Sequence, residues 1–264
     1  MRSTNRVKAR LAAGETVCAM WADFGSPSVA EAAAMSGWDT ILIDCEHGLA
    51  GIEGALDLIR AVEAAGAEAV LRVPEGSEAV LKRALDMGAR SIMVPMVSSE
   101  AEARRVVELC RYPPRGRRGY AAPIARASRF GGWRGYAAEA HDDLLLIVQI
   151  EHADAVPAAA AIAAVEGVDM LFVGPNDLAA SMGHLEALAA PPVLEAIAEI
   201  GAAARAAGRM LGTITGEGRG WAELRRLGYR FVAGPNDVAI LAAGARAAAA
   251  ERDAALAPEG AEPA

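Results

Sequence analysis

Cysteine is scarce in this sequence, and its few copies are not spaced for a structural role. Cys18, Cys45 and Cys110 are odd in number, lie far apart and form no Cys-x-x-Cys pair. A disulfide framework needs several paired cysteines, and a cysteine zinc site needs closely spaced ones. We therefore expect neither, and we interpret the three residues as reduced, mostly buried thiols.

Long apolar runs are also missing. The sequence contains no stretch of about 18 consecutive apolar residues, the length that a helix needs to cross a bilayer. Residues 1–6 carry two arginines, but no apolar segment typical of a secretion signal follows them. These absences predict no membrane span and no export, so we expect a cytoplasmic protein.

Positive charge is in deficit. The 264 residues include 26 Lys and Arg against 34 Asp and Glu, which gives a net charge of −8 at pH 7. Most of such a surface repels polyanions, so binding to nucleic acid or to anionic membranes is disfavoured. Aromatic residues make up only 5%, but 53% of residues are apolar and 23% charged, a composition typical of a folded globular protein. The length allows two domains or a single α/β barrel of about 250 residues.

Eight short runs rich in Val, Ile, Leu and Met alternate with Ala-rich, helix-forming stretches. The runs cover residues 17–21, 40–44, 69–73, 91–95, 145–150, 170–174, 210–214 and 230–234. Eight strand-helix units in about 250 residues predict a (β/α)8 TIM barrel, although an open doubly wound sheet has the same order of elements. We expect one barrel domain over residues 1–257, with an extra C-terminal helix to about Leu256, and a disordered tail over residues 258–264.

One long insertion, residues 112–143, separates the fourth and fifth runs. It carries six arginines interleaved with aromatic residues, a mixture that can bind nucleic acid. Because the whole chain is acidic, we favour another interpretation: a loop at the active face of the barrel, which covers the site or packs against a neighbouring subunit.

Polar residues collect where the predicted strands end. In a TIM barrel the reactive groups lie at this end of the strands and in the loops that follow. The residues concerned are Asp44, His47, Arg72, Gln149, Glu151, Asn176 and Asp177.

Two of the carboxylates have the placement of a metal site. Gln149 and Glu151 share one face of a strand, which points inward in a closed barrel. Asp177, just past the next strand, is expected beside Glu151, and two carboxylates suit Mg²⁺ or Mn²⁺. The alternative is an ion pair of Glu151 with an arginine and a helix N-cap role for Asp177.

His47 follows the second run closely, with Asp44 three positions before it. Asp44 could orient the ring and stabilise the imidazolium, which would make His47 a general base near neutral pH. A purely structural histidine is the alternative. Arg72 is a permanent cation at the end of the third run, able to pair with Glu151 or to stabilise a developing oxyanion.

Lysine is almost absent, and this excludes one mechanism. Lys8 precedes the first run and Lys82 lies in a predicted helix, so neither should reach the mouth of the barrel. Schiff-base chemistry needs such a lysine. Carbon-carbon chemistry on a carbonyl should therefore use a metal as the electron sink.

Two glycine-containing segments complete the pattern. The loop 216–220 is a weak phosphate-loop signal, which we interpret as a loop that shapes the pocket, and a helix is expected over 217–227. The segment around Asp177 is echoed after the eighth run by a second Gly-Pro-Asn-Asp, which contains Asp237. Since only the sixth strand adjoins the fifth, we expect Asp177 to be the ligand beside Glu151 and Asp237 to be the N-cap of the last helix.

Five linked motifs together resemble the HpcH/HpaI family of metal-dependent, class II pyruvate aldolases. They cover residues 44–48 (Asp-Cys-Glu-His-Gly), 71–74 (Leu-Arg-Val-Pro), 88–97, 149–151 (Gln-Ile-Glu) and 174–178 (Gly-Pro-Asn-Asp-Leu). The resemblance runs from about residue 7 to residue 241. It implies a pyruvate-kinase-like TIM barrel, often a homohexamer in which the last helix packs on a neighbouring subunit.

The resemblance also implies roles for single residues. Glu151 and Asp177 match the metal ligands, His47 matches the catalytic base with Asp44 as its partner, and Arg72 matches the residue that holds the substrate keto oxygen. The remaining matches are Gln149 near that oxygen, the backbone amides of Asn176 and Asp177 at the pyruvate carboxylate, Trp21 lining the pocket, and residues 125–131 as the family's Arg-Ala-Ser loop. His152, where many relatives carry Thr, and Asn176, where some carry Ala or Ser, depart from the pattern and put the substrate in doubt.

The implied activity is the reversible cleavage of a 4-hydroxy-2-oxo acid to pyruvate and an aldehyde, with Mg²⁺, Mn²⁺ or Co²⁺ as cofactor. One alternative is a citrate-lyase-like enzyme acting on a coenzyme A thioester. Another is a non-catalytic 2-oxo-acid-binding protein, which would have no use for Asp44 and His47.

Overall fold

The eight predicted strands close into one parallel barrel. The computed structural model describes residues 4–216 and 218–257, and within them each strand pairs with its neighbours in sequence order, from β1–β2 round to β8–β1. The strands are β1 Val17–Ala22, β2 Thr40–Asp44, β3 Glu68–Arg72, β4 Ser91–Val94, β5 Leu145–Ile150, β6 Met170–Val173, β7 Met210–Ile214 and β8 Phe231–Asn236. The TIM-barrel prediction is confirmed, and the open doubly wound sheet is excluded.

Helices follow the strands and cover the outside of the barrel. They are α1 Arg6–Ala12, α2 Pro27–Met35, α3 Ala55–Ala64, α4 Glu78–Asp86, α5 Glu100–Cys110, α6 Tyr136–Asp143, α7 Ala159–Ala164, α8 Pro175–Ser181, α9 Pro191–Ala206, α10 Trp221–Arg226 and α11 Asp237–Leu256. None of the helices in the described part of the chain has both the length and the apolar character to span a bilayer.

One helix begins later than expected. The helix predicted from residue 217 begins only at Trp221, and before it Gly216 and Arg219 exchange backbone hydrogen bonds. Glu217 itself, and the tail expected over residues 258–264, lie outside the described residues.

Alternate residues of each strand enter two different cores. In β2, Ile41 and Ile43 pack outward beneath the helices, while Leu42 points into the barrel. The interior is filled by large side chains such as Phe172 and Phe231, whose rings meet edge to face with centroids 6.2 Å apart. Gly212 of β7 makes room for them, since a Cβ there would lie 2.7 Å from the Phe172 ring. The barrel is therefore packed solid below its mouth.

The insertion lies at the opposite end of the barrel from the one expected. It follows α5, and barrel helices run antiparallel to the strands, so a segment between a helix and the next strand must lie at the strands' N-terminal ends. There it forms a cleft of about 570 Å³ against the first residues of β3 and β4, Glu68 and Ser91. The prediction of a loop at the active face was wrong.

Arg118 links residues of the insertion to one another and to α4. Arg118 is buried, with its guanidinium 4.4 Å from the Tyr112 ring centroid. It donates to Tyr136 Oη at 3.2 Å and to Asp86 Oδ1 at 2.7 Å. The mixture of basic and aromatic residues in the insertion therefore serves packing around Arg118.

The echoed Asp-containing segment caps α11 with a different residue from the one expected. Asn236 has the extended backbone of an N-cap, and its side chain accepts from Ala239 N at 2.6 Å. Asp237 is buried, and its carboxylate accepts from the backbone N–H of Asp23 at 2.9 Å, Phe24 at 3.2 Å and Val238 at 2.9 Å. The N-cap prediction for Asp237 was wrong: this carboxylate ties the start of α11 to the loop after β1.

We expect Asp237→Asn to lower the free energy of unfolding by about 1–3 kcal/mol. An amide has only one acceptor oxygen, so a backbone N–H of the loop after β1 would be left without a hydrogen bond. Equilibrium urea unfolding at pH 7 measures the change. Asp253→Asn, on the exposed part of the same helix beside Arg252, is the matched control and should stay within about 0.5 kcal/mol of the wild type. Equal stability of the two variants would contradict the anchoring role.

Candidate active site

A cavity of about 340 Å³ opens at the C-terminal ends of the strands, and all eight residues singled out from the sequence line it. They are Trp21, Asp44, His47, Arg72, Gln149, Glu151, Asn176 and Asp177. The larger cleft beneath the insertion lacks them, and size alone does not select a site. The convergence of polar side chains from five strands marks the smaller cavity as the candidate site.

The strongest interaction in the cavity joins Asp44 and Arg72, which lie directly opposite each other on β2 and β3. Arg72 Nε donates to Asp44 Oδ1 at 2.8 Å and Arg72 Nη2 to Asp44 Oδ2 at 2.6 Å, a bidentate pair between two buried side chains. Burial by itself would raise the pKa of Asp44, but the hydrogen bonds and charge of Arg72 outweigh burial and lower it. Trp21 covers the guanidinium, with its ring centroid 4.5 Å from Cζ.

The sequence predicts that Asp44 pairs with the His47 ring, but the structure shows no such contact between the two side chains. Asp44 Oδ1 instead accepts from the backbone N–H of Glu46 at 2.9 Å and of His47 at 3.3 Å. The carboxylate near the ring is Glu46, whose Oε2 lies 3.9 Å from His47 Nε2 and 3.0 Å from Arg72 Nη1. The His47 side chain itself is 65% exposed, at the mouth of the cavity.

Sequence reasoning missed Glu46, although it lies inside the same motif as Asp44 and His47. Burial is the main cause that raises its pKa, and the positive charges of Arg72 and His47 oppose that rise. Its Oε2 accepts no hydrogen bond within the described part of the chain. Glu46 therefore links the arginine to the histidine by charge.

Glu151 lies on the floor of the cavity without a direct cationic partner. Its Oε1 accepts from Met96 N at 2.8 Å and its Oε2 from Gln149 Nε2 at 2.8 Å. Burial raises the pKa of Glu151 to about 7; the charges of Glu46 and Asp177 add to the rise, and the Met96 N–H opposes it. The alternative of an arginine pair for Glu151 is not found, because Arg72 is engaged by Asp44 and Glu46.

Gly174 is required where β6 passes Glu151. A Cβ at this position would lie 2.9 Å from Glu151 Cβ and would overlap the carboxylate. Glycine therefore lets the two neighbouring strands present Glu151 and, three residues after Gly174, Asp177 to the same space.

Asp177 is not a helix cap. It is the third residue of α8, and Gly174 occupies the N-cap position without a side-chain bond. The Asp177 carboxylate is exposed and has no hydrogen bond or ion pair with any residue in the ranges 4–216 and 218–257. Both carboxylates of the predicted metal pair are thus left without counter-charge.

This donor set fits a hard divalent cation. Two carboxylates converge on one cavity, and burial raises the pKa of Glu151, with the charges of Glu46 and Asp177 adding to the rise. Mg²⁺ and similar ions are commonly held by one or two carboxylates, with water or substrate oxygens in the other positions. No group of three or more His, Cys, Asp or Glu able to hold a metal occurs among the described residues, so an all-protein cage is not present there.

Neither lysine reaches the cavity, as predicted. Lys8 of α1 pairs with Asp169 at 3.2 Å, and Lys82 of α4 lies 3.8 Å from Glu78. The loop 216–220 was expected to shape the pocket, and for its described residues this prediction was wrong: Ile214 and Thr215, which precede the loop, line the cavity, but these residues do not.

A second carboxylate that sequence reasoning missed is Asp23, directly after β1. It lines the cavity, and its Oδ1 is buried without a hydrogen-bond partner among the described residues. Burial is the main cause that raises its pKa to about 6, and the charges of Asp44 and Asp237 add to the rise. Its position just past a strand end is the same signal that found the other residues.

Comparisons with known proteins give the family of this chain and several named relatives. The chain matches the family model described as HpcH/HpaI aldolase/citrate lyase over residues 18–243. A hydroxypyruvate/pyruvate aldolase of Agrobacterium fabrum is 40% identical over 255 residues, which are 97% of this chain and 96% of that protein. A 2-keto-3-deoxy-L-rhamnonate aldolase of Klebsiella pneumoniae is 40% identical over 209 residues, 79% of this chain and 78% of that protein.

The barrel itself is also found among solved structures. An HpcH/HpaI aldolase/citrate lyase family protein from Burkholderia cenocepacia superimposes with a TM-score of 0.89 at 39% identity, covering 94% of this chain and 99% of that one. Sequence and fold therefore agree over nearly the whole length. The chain belongs to the HpcH/HpaI aldolase/citrate lyase family.

Proposed function

We propose that the protein is a class II aldolase, which reversibly cleaves a 4-hydroxy-2-oxo acid to pyruvate and an aldehyde. The observation that carries this proposal is the meeting of Glu151, Asp177 and Arg72 around one cavity that no lysine lines. A divalent cation, Mg²⁺, Mn²⁺ or Co²⁺, would be held by Glu151 and Asp177, and when bound it would polarise the C2 carbonyl and stabilise negative charge on its oxygen.

Arg72 binds the C2 oxygen on which negative charge develops. A guanidinium has five N–H donors, of which Arg72 uses two for hydrogen bonds to Asp44, while its Nη1 lies at ion-pair distance from Glu46. Other N–H groups remain for the substrate. Because the side chain is held by its carboxylate partners and by the Trp21 ring, these donors are fixed before the substrate arrives.

His47 removes the proton from the C4 hydroxyl as the C3–C4 bond breaks. Its ring lies at the cavity mouth, where the aldehyde half of the substrate leaves. Glu46, at 3.9 Å, stabilises the imidazolium that forms. The electrons of the broken bond collect in the enolate, and protonation at C3 gives pyruvate.

The pyruvate carboxylate binds at the start of α8. The first backbone N–H groups of a helix have no partner within the helix, and Asn176 and Asp177 both line the cavity there. Gln149 lies beside the same region. It donates a hydrogen bond to Glu151 and so orients this metal-binding carboxylate.

The aldolase activity is favoured over the two alternatives. The relatives that match this chain at about 40% identity over most of their length are named as aldolases, which disfavours a coenzyme A thioester lyase. A protein that merely binds 2-oxo acids has no need of a histidine at the mouth of its cavity.

We also propose that the protein is a homo-oligomer, in agreement with the hexamer that the resemblance implies. Within α11 only Asp237 is buried, and Ile240, Leu241 and Leu256 are exposed. A helix of 20 residues with exposed apolar side chains gains stability when it packs on a neighbouring subunit.

Chelation should abolish cleavage, and added Mn²⁺, Co²⁺ or Mg²⁺ should restore it, while borohydride with pyruvate should leave the activity intact because no lysine is near. Titration of the metal-free protein with Mn²⁺ should show that Asp177→Asn weakens binding about tenfold or more. Asp237→Asn, from the echoed segment, is the matched control and should keep the wild-type metal affinity. Covalent trapping of pyruvate on Lys82 would contradict the proposal.

His47→Ala should lose cleavage by about 10²- to 10⁴-fold yet still exchange the methyl protons of pyruvate in D₂O, because pyruvate has no C4 hydroxyl. Arg72→Lys should lose both reactions, since the fixed pair of donors serves the enolate common to them. Proton NMR follows both reactions, and His184→Ala, away from the cavity, is the control. Equal loss of the two reactions in His47→Ala would refute the role given to His47.

A further inference from the structure

Asp23 stands on the side of the cavity opposite the metal carboxylates. It follows β1, and in a closed barrel of eight strands β1 lies four strands away from β5, which leads into Glu151. The reacting pyruvate half lies toward β5 and β6, so Asp23 faces the space that remains for the aldehyde half, beside His47.

The backbone of Asp23 is fixed on both sides. Its N–H donates to Asp237 Oδ1 at 2.9 Å, and its carbonyl oxygen accepts from Leu49 N at 2.8 Å. The second bond ties the loop after β1 to the loop that carries His47. A side chain held in this way is placed reproducibly against the substrate.

The carboxylate of Asp23 can accept hydrogen bonds, but no described residue donates one to it. Its Oδ1 is buried and accepts no hydrogen bond from the described residues. The side chain as a whole is only half-buried and lines the cavity, so a hydroxyl group of a bound ligand can donate to the accessible part of this unpartnered carboxylate. With a pKa of about 6, the side chain is mostly an anion at neutral pH.

Among the described residues that line this cavity, no unpaired arginine or lysine is left for a second anionic group. Among its described lining residues Arg72 is the one arginine, no lysine is present, and the guanidinium is already paired with Asp44 and Glu46. An aldehyde that carries a carboxylate or phosphate would therefore meet the charge of Asp23 without compensation.

We propose that Asp23 is a specificity-determining residue for the aldehyde half of the substrate. The part of its carboxylate that lines the cavity accepts a hydrogen bond from a hydroxyl group of the aldehyde, and its charge rejects aldehydes that carry an anionic group. The substrate class is then a 4-hydroxy-2-oxo acid whose leaving aldehyde is hydroxylated and uncharged. This inference rests on the proposed aldolase function and names the substrates of the same site.

The test compares matched aldehydes in the addition to pyruvate, with kcat/KM as the readout. Glyceraldehyde against propanal measures the preference for hydroxyl groups, and succinic semialdehyde against butanal measures the rejection of a carboxylate. We expect the wild type to prefer glyceraldehyde over propanal, and butanal over succinic semialdehyde, each by about tenfold or more.

Two variants separate the two effects. Asp23→Asn removes the charge but keeps an acceptor oxygen, so it should lose the rejection of succinic semialdehyde and keep the preference for glyceraldehyde. Asp23→Ala should lose both. Asp57→Asn, which removes an exposed carboxylate paired with Arg60 outside the cavity, should keep both wild-type ratios.

A pH series gives a second readout. The charged groups that face Asp23 are Asp44, His47, Arg72 and Asp237. Because Asp23 ionises around pH 6, the wild type should reject succinic semialdehyde more strongly at pH 8 than at pH 5. The same series with Asp23→Asn is the reference, so the difference between the two proteins reports Asp23.

The inference is overturned if the ratio of succinic semialdehyde to butanal in Asp23→Asn stays within about twofold of the wild-type ratio. The proposed function is tested separately, because exchange of the pyruvate methyl protons by the wild type needs no aldehyde. Exchange with unchanged ratios overturns the specificity role alone. If the metal-loaded wild type does not exchange the methyl protons of pyruvate, the aldolase function is overturned, and the specificity role with it.

Discussion

The buried ion pair between Asp44 and Arg72 determines the arrangement of the site. Breaking such a pair leaves a buried charge uncompensated, which typically costs about 3–5 kcal/mol. The pair does more than neutralise itself, because the same Asp44 oxygen binds the backbone N–H groups of Glu46 and His47. One carboxylate therefore fixes both the Arg72 guanidinium and the backbone of the residues that lead to the His47 side chain.

Negative charge dominates the rest of the cavity. Asp23, Glu151 and Asp177 line it together with the Asp44 that Arg72 neutralises. The pKa values of Asp23 and Glu151 are raised to about 6 and about 7, mainly because burial disfavours their charged forms. Burial of these carboxylates makes their attraction for a cation stronger than at a surface.

The barrel and the members of the site could be predicted from the sequence, because both follow from order along the chain. Short apolar runs followed by polar residues predict strand ends, and parallel strands bring those ends to one face. Asp23 obeys the same rule and was missed only because no motif drew attention to it. The position of the insertion was also predictable, since it follows α5 and therefore had to lie at the other face.

Pairing between side chains was not predictable in this way. Asp44 binds Arg72 and not the His47 ring because the register of β2 and β3 puts the two directly opposite each other, and register is not written in either strand alone. The exchange of roles between Asn236 and Asp237 has a similar cause. Either residue type can cap a helix, and the choice depends on which one meets the loop after β1.

The bond between Asp237 and Asp23 joins residues that are 214 positions apart in the chain. Contacts of such long sequence separation form late in folding, since the intervening chain must be ordered first. The wall of the cavity beside β1 is the first part of the barrel to be synthesised, yet it acquires its final position only when the start of α11 has emerged from the ribosome and docked. A nascent chain that ends after β7 lacks Asp237, and with it the hydrogen bonds that hold the backbone N–H groups of Asp23 and Phe24.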